Sequence, residues 1–330
     1  MFSFFKLLFY SFGLVYSSGL VYSSGLTNNY TDYVLQNNYT YNHDNHLAYE
    51  GNVNFINTMN SKNLSYELDI NQFIDQPNNI RMGKFIKRDE CHNCFTNIND
   101  IDYKKIIPKS IDWREKNAVT HVKNQGNCGS CWSFSTTGSI EGINAIKKNK
   151  LINASEQQLM DCSDQYGNHG CQGGLMDNAF KYVIDNGLCS EEEYPYQAKQ
   201  GQCSSAQCNR VVQIDNYADV EPNNEKVLMR AVAHQPISVA IQANLTSFRF
   251  YKKGVYQDPD CTDKLDHGVL IVGYGTDILQ DLDYWIVKNS WTSKWGDEGY
   301  VKILRNYEKY GGDSSGMCGI AVQPSYPIIN

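Results

Sequence analysis

The chain has 330 residues, a formal net charge of −7 and a pI near 5.5. With 41% apolar and 20% charged residues it can bury a sizeable core, and no Lys/Arg run offers a face for nucleic-acid phosphates. Its eleven cysteines are many for a reducing compartment and odd in number, so if the others pair, at least one thiol is left over.

Residues 1–25 place Lys6 in a Phe/Leu-rich run followed by small residues. This predicts a secretory signal, cleaved between residues 17 and 25, where the hexad GLVYSS occurs twice. A membrane anchor is the alternative. Ser and Gly interrupt the run short of the roughly 20 residues a span needs, and no second stretch approaches that length. Five N-x-S/T triplets (Asn29, Asn38, Asn63, Asn153, Asn244) suit a secreted glycoprotein.

Residues 26–107 are rich in Asn and Tyr and poor in core patterns, which sets a boundary near Ile107–Pro108. Beyond it, residues 131–149 carry Phe134, Ile140, Ile143 and Ile146 near helical spacing, with lysines at the C-terminal end. Ser155 with Gln158 forms a capping-box pattern before EQQLMDC. Residues 174–186 predict a helix stopped by Gly187, and Asn224 caps another through Val232. Then the period shortens: 237–241, 268–275, 284–291 and 299–304 read as strands. Helices first and strands second predict an α+β chain in two lobes.

Cys131 opens the long helix, where the dipole and unpaired N–H groups favour a thiolate nucleophile. His267 stands at the mouth of an apolar strand, followed by a Gly that admits a close backbone. Asn289, in KNSW, can fix an imidazole tautomer, and Trp291 can shield that bond. Gln125, with the Cys131 N–H, can form an oxyanion hole. Taken singly, each has an ordinary structural reading; their order and company argue for a site.

These residues lie in PKSIDWREKNAVTHVKNQGNCGSCWSFS, GCQGGLMDNAF, DHGVLIVGYG and YWIVKNSWTSKWGDEGY. Together the four motifs resemble the papain-like cysteine proteases, nearest to the cathepsin L group, across residues 108–330. The resemblance implies a helical left lobe and a β-barrel-like right lobe with the active-site cleft between them. It implies a mature endopeptidase needing no cofactor or metal: Cys131 as nucleophile, His267 as general acid/base, Asn289 as orienter, Gln125 as oxyanion donor. Gly173 and Gly174 would bind the substrate backbone. Leu175, Met176, Ala240, Leu265, Gly268 and Gln323 would line the pocket for the second residue before the scissile bond, P2, so an apolar or aromatic side chain is expected there. Gln323 at the floor departs from the small residue of cathepsin L and would admit a polar or basic group.

Upstream, YELDINQFID matches the family's prosegment motif at Asn71, Phe73 and Asp75, with Asp69 in place of Gly. Tyr49, Asn52 and Ile56 fit the second half of the helix motif called ERFNIN. Its Glu and Arg would fall at Tyr41 and Asn45, so the first pro-helix is expected to be short or poorly formed. Residues 26–107 then act as an inhibitory propeptide, with the inhibitor-like segment at about 45–80 and a path backwards through the cleft. Carboxylates such as Asp75 are expected to release it on protonation at acid pH. The partners implied are protein and peptide substrates and the chain's own propeptide. No nucleic acid and no stable membrane insertion are expected, the mature form would be a monomer, and the destination would be a lysosome, an acidic vacuole or the outside of the cell.

The resemblance also pairs Cys128 with Cys171, Cys162 with Cys203 and Cys261 with Cys318. Cys189 and Cys208 flank the Cys203 loop and are expected to form a fourth bridge, and Cys91 can pair with Cys94. The eleventh cysteine is Cys131. Three other readings compete: an inactive binding homologue, which needs a lost catalytic residue; a disulfide-rich structural protein; and a metal or redox site at Cys91-x2-Cys94 with His92.

Overall fold

The computed structural model describes residues 29–77, 91, 92, 94 and 107–330. The expected signal segment lies outside them. Two compact units divide the chain at Thr40/Tyr41. In the first, α1 (Tyr30–Gln36) is capped by Asn29, whose side chain accepts the Thr31 N–H.

The second unit opens with α2 (His43–Asn60), eighteen residues long. The expectation of a short or poorly formed first pro-helix divides: α1, first among the described helices, has only seven residues, whereas α2, which carries Asn45 and the rest of the motif, is fully formed but begins after Tyr41. Asn42 caps it by accepting the Asp44 and Asn45 N–H groups, and Tyr49, Val53 and Ile56 are buried one helical turn apart. Where the Glu–Arg pair is missing, Tyr41 and Glu50 both contact His46, at 2.8 and 3.0 Å. The half of the motif that remains does the anchoring: Asn52 Nδ2 donates to the Ile74 carbonyl at 2.7 Å, and Asn60 exchanges two hydrogen bonds with the Leu68 backbone.

After β1 (Tyr66–Leu68) and β2 (Ile111–Asp112) come α3 (Cys131–Lys148), α4 (Glu156–Cys162), α5 (Met176–Asn186), β3 (Leu188–Cys189), β4 (Arg210–Val212), β5 (Asn216–Asp219) and α6 (Glu225–Val232). The remaining elements are β6 (Ile237–Ile241), α7 (Thr246–Arg249), β7 (Tyr251–Tyr256), β8 (His267–Asp277), β9 (Leu282–Lys288), β10 (Tyr300–Leu304) and β11 (Ser325–Ile328). The caps act as the residues dictate. Ser155 Oγ accepts the Gln158 N–H at 3.0 Å, and Asn224 accepts that of Val227 at 3.1 Å. Gly187 ends α5 with φ +68°.

Strands run in the order β1-β7-β10-β9-β8-β6-β11-β5, with β2 added on β8. The ends β1 and β5 do not pair, so the barrel-like lobe is an open sheet. Only β7 and β10 run parallel among the described pairs. The segment before Pro108 supplies the terminal strand: β1 pairs antiparallel with β7, Tyr66 opposite Gly254.

The helical lobe packs Trp132, Ile140, Ile143, Leu159, Met176, Phe180 and Val183 into one core. Its helix α3 is not simply amphipathic. Ser133, Ser135, Thr136, Thr137 and Ser139 are buried too, because small residues let the helix approach the sheet. A Cβ on Gly138 would come within 2.7 Å of Leu270 Cδ2, and Ser135 Oγ donates to the Val269 carbonyl at 2.7 Å. Disulfides join Cys128–Cys171, Cys162–Cys203 and Cys189–Cys208 in the helical lobe, Cys261–Cys318 in the sheet lobe, and Cys91–Cys94 in the segment before it.

Candidate active site

Cys131 is in no disulfide and is buried as the first residue of α3. The cap residue Ser130 makes no capping bond; its hydroxyl instead meets the Tyr196 hydroxyl at 2.6 Å. The Ser130 side chain thus takes none of the first-turn N–H groups of α3, of which that of Ser133 donates to the Ser130 carbonyl at 2.8 Å.

His267 opens β8 and Gly268 follows it. A Cβ on Gly268 would lie 3.2 Å from the Trp132 N and Cα and 3.3 Å from the Cys131 carbonyl carbon. The glycine therefore sets the histidine strand directly against the start of the thiol's helix. Across the sheet, Ala240 on β6 is in register with Gly268.

His267 Nε2 is 2.8 Å from Asn289 Oδ1. That oxygen accepts, so Nε2 carries the proton and Nδ1 is the site left for exchange with a reacting atom. Nδ1 is buried and makes no hydrogen bond among the described residues. The Trp291 ring lies over the imidazole at 4.8 Å between centroids, tilted 32°. Burial pulls the imidazole down to about 4, against the opposing pull of the Asn289 bond.

The Gln125 segment pairs with the stretch that carries Asn289: the Gln125 N–H donates to the Ser290 carbonyl at 2.9 Å and the Thr292 N–H to the Lys123 carbonyl at 3.1 Å. Gln125 Nε2 donates to the Cys128 carbonyl at 2.9 Å, and its Oε1 accepts from Ser290 Oγ at 2.6 Å. Both bonds fix which way the amide faces. Behind it, Lys123 contacts Glu141 at 3.1 Å and Glu156 at 2.6 Å. Burial opposes that lysine's charge, and the two glutamates outweigh it and keep it protonated.

Gly173 (φ +124°) and Gly174 lead into Leu175, the cap of α5, and Met176, its first residue. A Cβ on Gly174 would strike the Trp132 ring at 2.8 Å. Leu265 sits before β8, its Cδ2 2.8 Å from a Cβ built on Gly319. Gln323 is 7% exposed, and neither amide atom has a hydrogen-bond partner among the described residues.

Three contributors escaped the sequence reading. Ser290 lies inside the quoted KNSW and was available as a hydroxyl beside the amide. The Tyr196 hydroxyl donates to the Gln125 carbonyl at 2.8 Å, but nothing in YPY signals that contact. Arg249 Nη2 donates to the carbonyls of Phe73 at 3.3 Å and Gln76 at 2.7 Å. It belongs to the surface that receives the prosegment, with Asn71 Nδ2 on the Arg249 carbonyl at 2.8 Å, Gln72 Nε2 on the Trp291 carbonyl at 2.8 Å, and the Phe73 ring edge-on to Trp291. The shield over His267 is thus also the seat of the prosegment turn. The path beyond Pro77 lies outside the described residues.

The sign at Asp75 is opposite to the one expected. Burial raises its carboxyl above the usual range, against a bond to its own backbone. The docked state therefore prefers the protonated acid, and protonation at Asp75 favours docking rather than release.

Residues 107–328 match the model of the papain family cysteine proteases. The chain is 46% identical over 287 residues to cysteine proteinase RD21A of Arabidopsis thaliana, covering 86% of this chain and 60% of that protein. It therefore spans less than two thirds of that relative's length. Cysteine proteinase 3 of Dictyostelium discoideum is 42% identical over 318 residues, covering 91% of this chain and 90% of that one. Among solved structures, the proform of the ragweed pollen cysteine protease Amb a 11 superposes with a TM-score of 0.82 at 39% identity, covering 91% of this chain and 94% of that one. The chain belongs to the papain family of cysteine proteases.

Proposed function

We propose that the chain is a cysteine endopeptidase made as a zymogen, with residues 26–107 removed on maturation. The observation that carries this reading is the Asn289–His267 pair under Trp291, on a strand whose Gly268 backbone packs against Cys131. The Cys131 thiolate attacks a peptide carbonyl carbon and the C=O pair moves onto oxygen. Gln125 Nε2 and the Cys131 N–H receive that oxyanion. His267 passes its Nδ1 proton to the leaving amine as the C–N bond breaks, leaving a thioester. Water, deprotonated by His267, then releases the acid and restores the thiolate. A buried imidazole drawn to about 4 is neutral at pH 5–7; the adjacent thiolate is the anion that lets it hold the proton.

Buried Met176 and Ala240 support an apolar or aromatic preference at P2. The unpaired amide of Gln323 supports tolerance of a polar or basic group at the same place. A peptide library refusing Arg and Gln there would remove that tolerance. The four disulfides after Pro108 and the exposed sequon at Asn244 support passage through the secretory route to an acidic vacuole, a lysosome or the outside.

The test is labelling of the matured chain by a thiol-reactive epoxide, with Cys131→Ala as control. Stoichiometric labelling lost in the variant is expected. Labelling that survives Cys131→Ala would sink the assignment.

A further inference from the structure

The segment before Pro108 meets the peptidase domain at a second place, far along the sheet from the Trp291 surface. Cys91, His92 and Cys94 lie at β5, the terminal strand opposite β1. One edge of β5 pairs with β11, Asp219 opposite Ser325. On the other, the Asp219 N–H donates to the His92 carbonyl at 3.0 Å, and the His92 N–H donates to Asp219 Oδ2 at 2.5 Å. His92 is thus held at the free edge of β5 by one backbone bond and one bond to the Asp219 side chain. Its ring stacks on Tyr217, 4.4 Å between centroids and 21° between planes. Tyr217 in turn packs against Phe180 of the helical core, 5.9 Å away. The Cys91–Cys94 bridge closes the turn around His92. Its sulfurs are bonded to each other, which leaves no thiolate pair for a metal in this form.

We propose that this disulfide-closed turn is a redox-set latch. Closed, it holds His92 in the register that docks on β5; opened, it frees the segment for removal. An external dithiol supplies the electrons. Its thiolate attacks one sulfur and breaks the S–S bond, and its second thiol resolves the mixed disulfide. Cys91 and Cys94 leave as thiols, the reductant leaves as a cyclic disulfide, and two electrons and two protons pass to the protein. A reductant that keeps Cys131 reduced would then also unlock maturation. In that role the latch rests on the zymogen reading above. Closing so short a loop limits the conformations of the undocked segment, which favours docking on the order of tenfold in the chain-entropy model.

The test uses the full chain carrying Cys131→Ala, which cannot cleave itself. Trypsin, which needs no thiol, removes the segment at its Lys and Arg residues, such as Arg88 and Lys104. Conversion is timed by mass spectrometry, and amide exchange is followed at Asp219. Cys91→Ser with Cys94→Ser opens the ring, and His92→Ala keeps the ring but removes the stacking. Both variants should convert about tenfold faster, with faster exchange at Asp219. Conversion or exchange at the parent rate in either variant overturns the latch. Failure of the catalytic reading would appear separately, as absent epoxide labelling of the Cys131 chain, and leaves this assay unaffected.

Discussion

Ser290 Oγ donates to Gln125 Oε1 across 2.6 Å, and so decides which end of that amide is left to donate. With the oxygen held by Ser290 and one Nε2 hydrogen on the Cys128 carbonyl, the second Nε2 hydrogen is the one available to an oxyanion. Gln125→Ala should lower kcat by about 10²–10³. Ser290→Ala leaves the Cys128 contact and should lower kcat by only about fivefold, the worth of one hydrogen bond. Steady-state kinetics with a fluorogenic peptide decides both; a Gln125→Ala enzyme near wild-type kcat would deny the amide its role.

The approach of β8 to α3 makes Gly268 a second sensitive position. Its added Cβ would sit 3.2 Å from Trp132 backbone atoms and 3.3 Å from the Cys131 carbonyl carbon, with no flexible side chain to yield. Gly268→Ala should push His267 from Cys131 by a few tenths of an ångström and lower kcat by about tenfold or more, since a displacement of 1 Å costs about 10². Epoxide labelling rate and thermal midpoint measured together will separate the outcomes. A large loss of midpoint with unchanged labelling would refute this account.

The residues of the candidate site were legible because they are written in local terms: a cysteine at a helix start, a His-Gly at a strand mouth, an Asn in the next strand. Caps at Ser155 and Asn224 and the stop at Gly187 read correctly for the same reason. What was missed depends on distant partners. β11 contains Pro327 and forms because its residues pair with Tyr217 and its neighbours on β5. α2 forms without the expected Glu and Arg because Asn42 caps it and Asn52 and Asn60 tie it to residues up to 22 positions away. Arg249 looks like an ordinary surface charge until the prosegment carbonyls arrive.

Those carbonyls give the next expectation. Arg249 is buried beneath the turn, and burial lowers its guanidinium from its ordinary value, so its charge is tolerated only through what it binds. Arg249→Gln loses charge-assisted bonds to Phe73 and Gln76, offset in part by the relieved desolvation. Inhibition of the mature enzyme by added propeptide should weaken by about tenfold. An unchanged inhibition constant would show that the aromatic contact of Phe73 with Trp291 holds the turn alone.

Stability should also depend on pH through Asp266. Burial pushes its carboxyl up to about 6, opposed by the Ala243 and Asn244 N–H groups. The folded value lies above the unfolded one, so the neutral acid stabilises the fold below about pH 4, and this contribution is lost as pH rises through 6. It is worth about 3 kcal/mol. Asp266→Asn keeps the acceptor and removes the titration. In a Cys131→Ala background the substitution should flatten the fall in thermal midpoint between pH 4 and pH 7. A fall as steep as the parent's would assign it to other groups.

Asp75 was the carboxylate expected to release the segment at acid pH, and the direction of its shift argues against that role. Its folded carboxyl is raised by burial, so its contribution to docking is present at acid pH and lost as pH rises. The one ion pair that crosses from the prosegment to the domain among the described residues, Glu67–Lys253 at 3.2 Å, is exposed on both sides and contributes little. Asp75→Asn mimics the protonated state, and should therefore dock the prosegment more tightly at pH 7 and leave maturation at pH 5 unchanged. Propeptide dissociation from the Cys131→Ala chain, measured at both values, tests this. Faster dissociation of the variant at pH 7 would restore Asp75 as a charge that holds the prosegment in place.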